Sequence, residues 1–238
     1  MYKVLTIIQA RMNSSRLPGK VLKKIDGVSA IEYMISRVAK IQNIDKFIIA
    51  TSKNPSDNKI IKICKYLGID FYRGEEEDVL SRFYNAAKIY NASNILRLTA
   101  DCPMIDPEIV DKIIKRYFEK KVDYCSNTVN RTFADGLDAE IFSFKILKKA
   151  YFNAKDSNLR EHVTGYFNGK NTRNNGISTH QLKYTKNLSY IRLTLDTLED
   201  LKNIRKIIKK LPQNYRWNDI VKLYKKSPDS FLIDDKYE

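Results

Sequence analysis

Short apolar runs alternate with longer stretches of helical spacing along most of this chain, and that rhythm limits the fold more than any other feature of the sequence. Residues 4–9 form a continuous apolar run of strand length, read as a buried strand rather than a leader. Further runs lie at 46–50, 69–72, 94–98, 122–125 and 189–195, with Thr51 and Ser52 closing the second. Between them, residues 30–41 carry apolar side chains at helical spacing (Ile31, Met34, Ile35, Val38, Ile41). The same spacing predicts helices over 56–67, capped by Ser56 or Asp57, and over 76–90, 198–211 and 217–225. Pro107 opens another helix, running to about 118, at the one turn where its missing N–H costs nothing. Strand–helix alternation with short links predicts an α/β domain: a mostly parallel twisted sheet with helices on both faces. Residues 127–185 break the rhythm with Asn and Gly clusters and two short helical stretches near 143–154 and 158–167. They are expected to be an inserted or subunit-contact arm of one domain spanning 1–238.

Composition narrows the class of protein. There is no run of eighteen or more apolar residues, so no membrane insertion is expected. Cys64, Cys102 and Cys125 are odd in number and far apart, which fits reduced thiols in a cytoplasmic protein and offers no CxxC metal pattern. The formal net charge is +15, from 43 basic and 28 acidic residues. Such a sum suits a polyanionic partner, but the lysines concentrate on outer helix faces and no nucleic-acid recognition motif is present, so a nucleic-acid partner is not expected. A nucleoside triphosphate is also a polyanion and needs only a few of these charges.

In open parallel sheets, ligands bind beyond the carboxyl ends of the strands. The first strand is followed by Ala10-Arg11-Met12-Asn13-Ser14-Ser15-Arg16-Leu17-Pro18-Gly19-Lys20. Three cations and one glycine suit phosphate oxygens, although neither the Walker spacing nor the GxGxxG turn is present. A solvated basic loop is the plainer reading of those residues taken alone. Asp101 follows the run at 94–98, and Asp196 the run at 189–195. Each reads equally as a turn residue or helix cap. Together, on the edge where the basic loop must lie, they suit a hard cation such as Mg²⁺, which takes one or two carboxylates plus phosphate oxygens and water. Asp135, Asp138 and Glu140 are candidates for contact with a polar acceptor or for a turn, and Arg160, Glu161 and His162 for a site or a structural hydrogen-bond group. Cys102 beside Asp101 reads as a packed thiol.

The stretch Ile8 to Lys20 resembles the nucleotide-binding loop of the bacterial sugar cytidylyltransferases, the family of the CMP-Kdo and CMP-sialate synthetases. The similarity is greatest to the branch called spore-coat polysaccharide biosynthesis protein F. Further matches run in order along the chain: Leu98-Thr99-Ala100-Asp101-Cys102-Pro103, Asp135-Gly136-Leu137-Asp138-Ala139-Glu140, Arg160-Glu161-His162-Val163-Thr164 and Arg192-Leu193-Thr194-Leu195-Asp196-Thr197. Gly165 and Leu198 stand where the family commonly has proline. The resemblance implies a nucleotide-diphospho-sugar transferase fold, GT-A-like, acting in surface polysaccharide or glycan biosynthesis. It implies CTP held by Ala10, Arg11, Ser15, Arg16 and Lys20, with Arg11, Arg16 and Lys20 catalytic through the departing pyrophosphate. Thr51, Ser52, Ser81 and Arg82 fall where relatives line the base and ribose pocket. Asp101 and Asp196 match the family's magnesium aspartates. The implied acceptor is a small molecule, an acidic sugar or polyol derivative, and the implied assembly a homodimer. A glycosyltransferase using a nucleotide sugar, and a nucleic-acid-binding module argued from charge, are the alternatives.

Overall fold

The computed structural model describes residues 4–168 and 176–231. Its spine is β1 (Val4–Gln9), which pairs in parallel with β4 (Lys46–Ser52) on one side and β6 (Asn94–Thr99) on the other. Two short strands, β2 (Lys24–Ile25) and β3 (Val28–Ser29), form a separate hairpin between β1 and β4. The main sheet continues through β5 (Phe71–Gly74), β7 (Tyr124–Ser126), β8 (Glu140–Ser143) and β9 (Thr179–Gln181) in the order β5-β4-β1-β6-β8-β7-β9. β8 alone runs against its neighbours, antiparallel to both β6 and β7. The expected α/β architecture, a mostly parallel sheet, is therefore the one found.

Helices α1 (Ala30–Val38), α2 (Asn58–Leu67), α4 (Pro107–Lys120), α7 (Leu198–Ile208) and α8 (Trp217–Lys226) pack on one face, and α3 (Val79–Ile89) and α5 (Phe144–Asn153) on the other. The short α6 (Ser157–Glu161) sits beside α3. Strand geometry explains the division. Val4 and Ile8 of β1 join the first core and Leu5 and Ile7 the second, because alternate side chains point to opposite faces. Since both faces are covered, β1 is apolar without a break, apart from Thr6 and the half-buried Gln9 at its carboxyl end. Local caps fix the helix starts. Ser29 and Glu32 form a capping box on α1, and Thr197 and Asp200 another on α7. Asp106 caps α4 by accepting from the Glu108 and Ile109 N–H groups, and its second oxygen accepts from Trp217 N at 2.6 Å, tying α8 to α4.

Three expectations need correction. Residues 189–195 form no strand; their sole ladder contact is an isolated parallel bridge between Arg192 and Asp135. Asp57 precedes α2, but its side chain makes no cap bond there, and neither Ser56 nor Asp57 caps by side chain. Residues 140–143, expected within an arm, form β8 at the heart of the sheet. The rhythm breaks there because the chain reverses direction, and an antiparallel strand needs no crossover helix. The expected stretch at 143–154 appears as α5, but that at 158–167 is helical only in α6 and runs on as turns to 167; residues 169–175 of the Asn/Gly cluster lie outside the described residues. No helix among the described residues is long and apolar enough to cross a membrane.

Candidate active site

The basic loop leaves β1 at the carboxyl edge of the sheet and is anchored rather than free. Leu17 is buried, and Gly19 in the left-handed region (φ 68°) donates its N–H to Met12 O at 2.9 Å, which closes the loop on itself. A buried carboxylate, Asp57, accepts from Met12 N at 2.7 Å and with its other oxygen from Thr51 Oγ1 at 2.8 Å and Ser52 N at 3.0 Å. One charge thus satisfies the end of β4 and pins the loop from below.

From that loop Lys20 reaches across the sheet edge. Its Nζ lies 2.7 Å from Asp196 Oδ1 and 3.0 Å from Asp101 Oδ2. Arg16 adds a contact to the other oxygen of Asp196 at 2.8 Å. Asp101 stands just past β6. Asp196 is delivered by the extended segment before α7, which is stitched to the rest of the site at two points. Leu195 N donates to Asp101 O at 2.7 Å, and Leu193 N to Asp135 O at 2.6 Å. Gly136 permits that second approach: its φ is 104°, and a Cβ there would stand 2.5 Å from the Leu193 carbonyl carbon.

Arg192 braces the aspartates from behind. It donates to Asp200 through Nε at 2.8 Å, to Asp135 through Nη1 at 2.8 Å and to Asp196 through Nη2 at 3.0 Å. Its hydrogen bond to Asp200 is the main reason its guanidinium is held above the ordinary value. For Asp196, burial alone would push the carboxyl up. The Lys20 hydrogen bond and charge, with Arg16 and Arg192, outweigh it and hold the group below the usual value. Burial likewise opposes charge on Lys20, and Asp101 and Asp196 together reverse that effect.

A cavity of about 310 Å³ opens over this ion cluster. Of the residues expected at a site, it gathers Ala10, Arg11, Ser15, Arg16, Lys20, Arg82, Asp101, Glu161, His162 and Asp196. Three of the residues expected to hold the nucleotide are not on its wall. Thr51 and Ser52 are fully buried and bound to Asp57, and Ser81 gives its N–H to Asp78 at the start of α3. Arg160 lines neither this cavity nor the next; it pairs with Asp78 at 2.6 Å and donates to the Ala154 and Tyr151 carbonyls. Arg82 is almost wholly buried, and that burial pulls its guanidinium down to about 10.

A second cavity, of about 340 Å³, shares Arg97, Thr99, Asp101 and His162 with the first. Asp135, Asp138 and Glu140 stand on its wall. Burial raises the Asp138 carboxyl in spite of its ion pair with Arg131. Cys102, also on this wall, is a buried thiol pushed well up by burial, which fits packing rather than nucleophilic work. Sequence reasoning gave no site role to Arg97, Arg131, Arg192 or Asp57, although it read Asp57 as a helix cap and quoted Arg192 at the head of a matched motif. Arg97 carried a signal, a lone charge inside the apolar run of β6; the others sit in segments whose spacing says nothing about their partners.

The fitness of this site for Mg²⁺ can be judged from its donors. Among the described residues no three His, Cys, Asp or Glu side chains cluster as a metal cage. Two carboxylates, however, already converge on one cation, the Lys20 ammonium, with hard oxygen donors at the edge of a basic cavity. That donor set fits an ion completed by phosphate oxygens and water.

A cytidylyltransferase family model matches residues 5–226. This chain belongs to the cytidylyltransferase family. The spore coat polysaccharide biosynthesis protein SpsF of Bacillus subtilis is 30% identical over 242 residues, covering 97% of both chains. The solved structure of a cytidylyltransferase from Leptospira borgpetersenii matches with a TM-score of 0.92 at 30% identity, over 100% of each chain. A CMP:2-keto-3-deoxy-manno-octonic acid synthetase, solved in complex with CTP, matches with a TM-score of 0.65 over 87% of this chain and 99% of its own; at 16% identity it shows the fold alone. The resemblance drawn from the loop motif therefore holds across the chain, and the cytidylyltransferase fold is the one the sheet order displays.

Proposed function

We propose that this enzyme transfers CMP from CTP to a hydroxyl of a small acceptor in glycan biosynthesis, releasing pyrophosphate, with Mg²⁺ held by Asp101 and Asp196. The observation that carries the reading is the Lys20 ammonium seated between those two aspartates on the floor of a cavity walled by Arg11, Ser15 and Arg16. The family match supports the nucleotidyl chemistry, and a fold neighbour solved with CTP supports the choice of nucleotide.

The acceptor oxygen attacks the α-phosphorus in line, one P–O bond forms, and the bond to the β-phosphate oxygen breaks. Positioning and charge neutralisation supply most of the acceleration in such a transfer. Arg11, Arg16 and Lys20 bind the triphosphate and offset the charge that builds on the pyrophosphate. Asp57 holds the loop that carries them, and Arg192 fixes the Asp196 carboxylate from the side away from Lys20. When bound, Mg²⁺ supplies Lewis-acid stabilisation of phosphate charge. The adjoining second cavity, which shares Asp101 with the first, supports an acceptor position beside the triphosphate.

The test is pyrophosphate release from CTP and Mg²⁺ with a panel of polyols and sugar acids. Asp101→Asn and Asp196→Asn are each expected to lower turnover by about a hundredfold or more, while both proteins keep a cooperative unfolding transition. Full activity in both variants would remove the metal assignment.

A further inference from the structure

The two aspartates proposed for the metal are already held by cations of the chain's own. Asp196 receives Arg16 and Arg192 on Oδ2, at 2.8 Å and 3.0 Å. Metal ligation at Asp196 therefore falls to Oδ1, the oxygen that Lys20 Nζ holds at 2.7 Å. The same Nζ stands 3.0 Å from Asp101 Oδ2. A magnesium ion binds carboxylate oxygens at about 2.1 Å, so an ion shared by this pair competes with the ammonium for both of its contacts. The lysine is no loose surface partner. Its side chain is only 12% exposed, and it starts the short 3-10 turn Lys20–Leu22, which Val21 anchors in the core. An ammonium so buried gives up two carboxylates only for another anion, because its desolvation is otherwise uncompensated.

We infer that Lys20 gates the metal site: its ammonium is a resident counter-cation for Asp101 and Asp196, and it keeps divalent ions off them until a triphosphate draws it into the cavity. The inference rests on the proposed metal site and concerns the order in which that site fills. The surrounding charge supports it. Arg16, Lys20 and Arg192 already converge on Asp196, and Lys20 also on Asp101. A divalent ion arriving alone adds two positive charges beside that ammonium, at a range where repulsion is strong. A triphosphate offsets the ion, and on the same cavity wall it offers oxygens to Lys20. The flexible four-carbon stem lets the ammonium swing to them while the loop stays in place. Metal and nucleotide then bind with positive coupling, each raising the other's affinity by the same factor.

The experiment titrates the full chain, without nucleotide, against Mn²⁺ and follows the solution EPR signal of the free ion. Unfolding curves first establish that each variant is folded. Lys20→Met and Lys20→Gln are expected to bind one ion about tenfold or more tighter than the parent, and Lys20→Arg, which keeps the charge, to stay close to the parent. Adding Asp101→Asn to Lys20→Met is expected to remove the gain. Equal affinity in the parent and both neutral variants overturns the inference, and so does a gain that survives Asp101→Asn, since the ion then sits elsewhere. The parent alone supplies a second test by calorimetry with the α,β-methylene analogue of CTP. Mn²⁺ is expected to raise its affinity for the analogue about tenfold or more; no rise overturns the inference even where the neutral variants fail to fold. If the analogue binds neither with nor without the ion, the cytidylyltransferase reading itself falls; if it binds and the neutral variants gain nothing, only the gating role of Lys20 does.

Discussion

Asp57 shows how much a single buried carboxylate can organise. Its two oxygens serve donors from two segments, Met12 of the basic loop and Thr51 and Ser52 of β4, and no cation is paired with it at salt-bridge distance among the described residues. Replacing it by Asn swaps one acceptor oxygen for an amide donor facing donors. Asp57→Asn is expected to cost about 2 kcal/mol of stability, read as a lower urea midpoint, and to raise KM for CTP more than it lowers kcat, since the loop loses its anchor while its cations remain. An unchanged KM would show that the loop is held by other contacts. Residues of this kind mark the limit of what a sequence discloses. Arg11, Arg16 and Lys20 could be picked out because three cations cluster on the loop after a strand, where a solvated loop is the plainer reading of the residues alone, and the structure brings all three to one cavity wall. Thr51 and Ser52 were misplaced because hydroxyls at a strand end suit a nucleotide pocket as well as they suit a buried carboxylate a turn later in the chain, and the choice is made by packing.

At the scale of elements, the segment from Ile191 to Asp196 is the instructive case. Ile191, Leu193 and Leu195 are all buried, and that period-two pattern reads as a strand. The period comes from extended backbone, which side chains follow whether or not a sheet pairs with it. Here the neighbour is the turn at 134–138, so only one bridge forms, and Gly136 is what lets the two backbones meet. Gly136→Ala is therefore expected to lose about 3 kcal/mol, from both a left-handed φ and a clash with backbone. For a chain of this length that lowers Tm by roughly 6–12 °C, and with Asp196 displaced, activity should fall as well. A melting curve within a degree of the parent would refute the packing account. β8 was illegible for a different reason. It is four residues long, and its membership of the sheet depends on pairing with β7 across residues 127–139 and with β6, which lies distant in sequence. Strands β1, β4 and β6 were read from their own apolarity, because strands buried on both faces need no partner to be recognised.

Across the whole molecule, the α/β layering sets the site. The carboxyl ends of β1 and β6 face the same edge, so the loop after one meets the aspartate after the other, and the two cores hold the edge from both faces. The chain's net charge of +15 is spread mainly over outer helix surfaces, and the proposed function assigns the chemistry to the local cluster of Lys20 with Asp101 and Asp196. The most direct test of that claim is the thermal shift of the full chain with each of the four ribonucleoside triphosphates, with and without Mg²⁺. CTP with Mg²⁺ alone is expected to raise Tm, by roughly 5–10 °C at a hundredfold excess over Kd, and the shift should shrink in Asp101→Asn and Asp196→Asn. An equal response to all four nucleotides, or none to CTP, would contradict it.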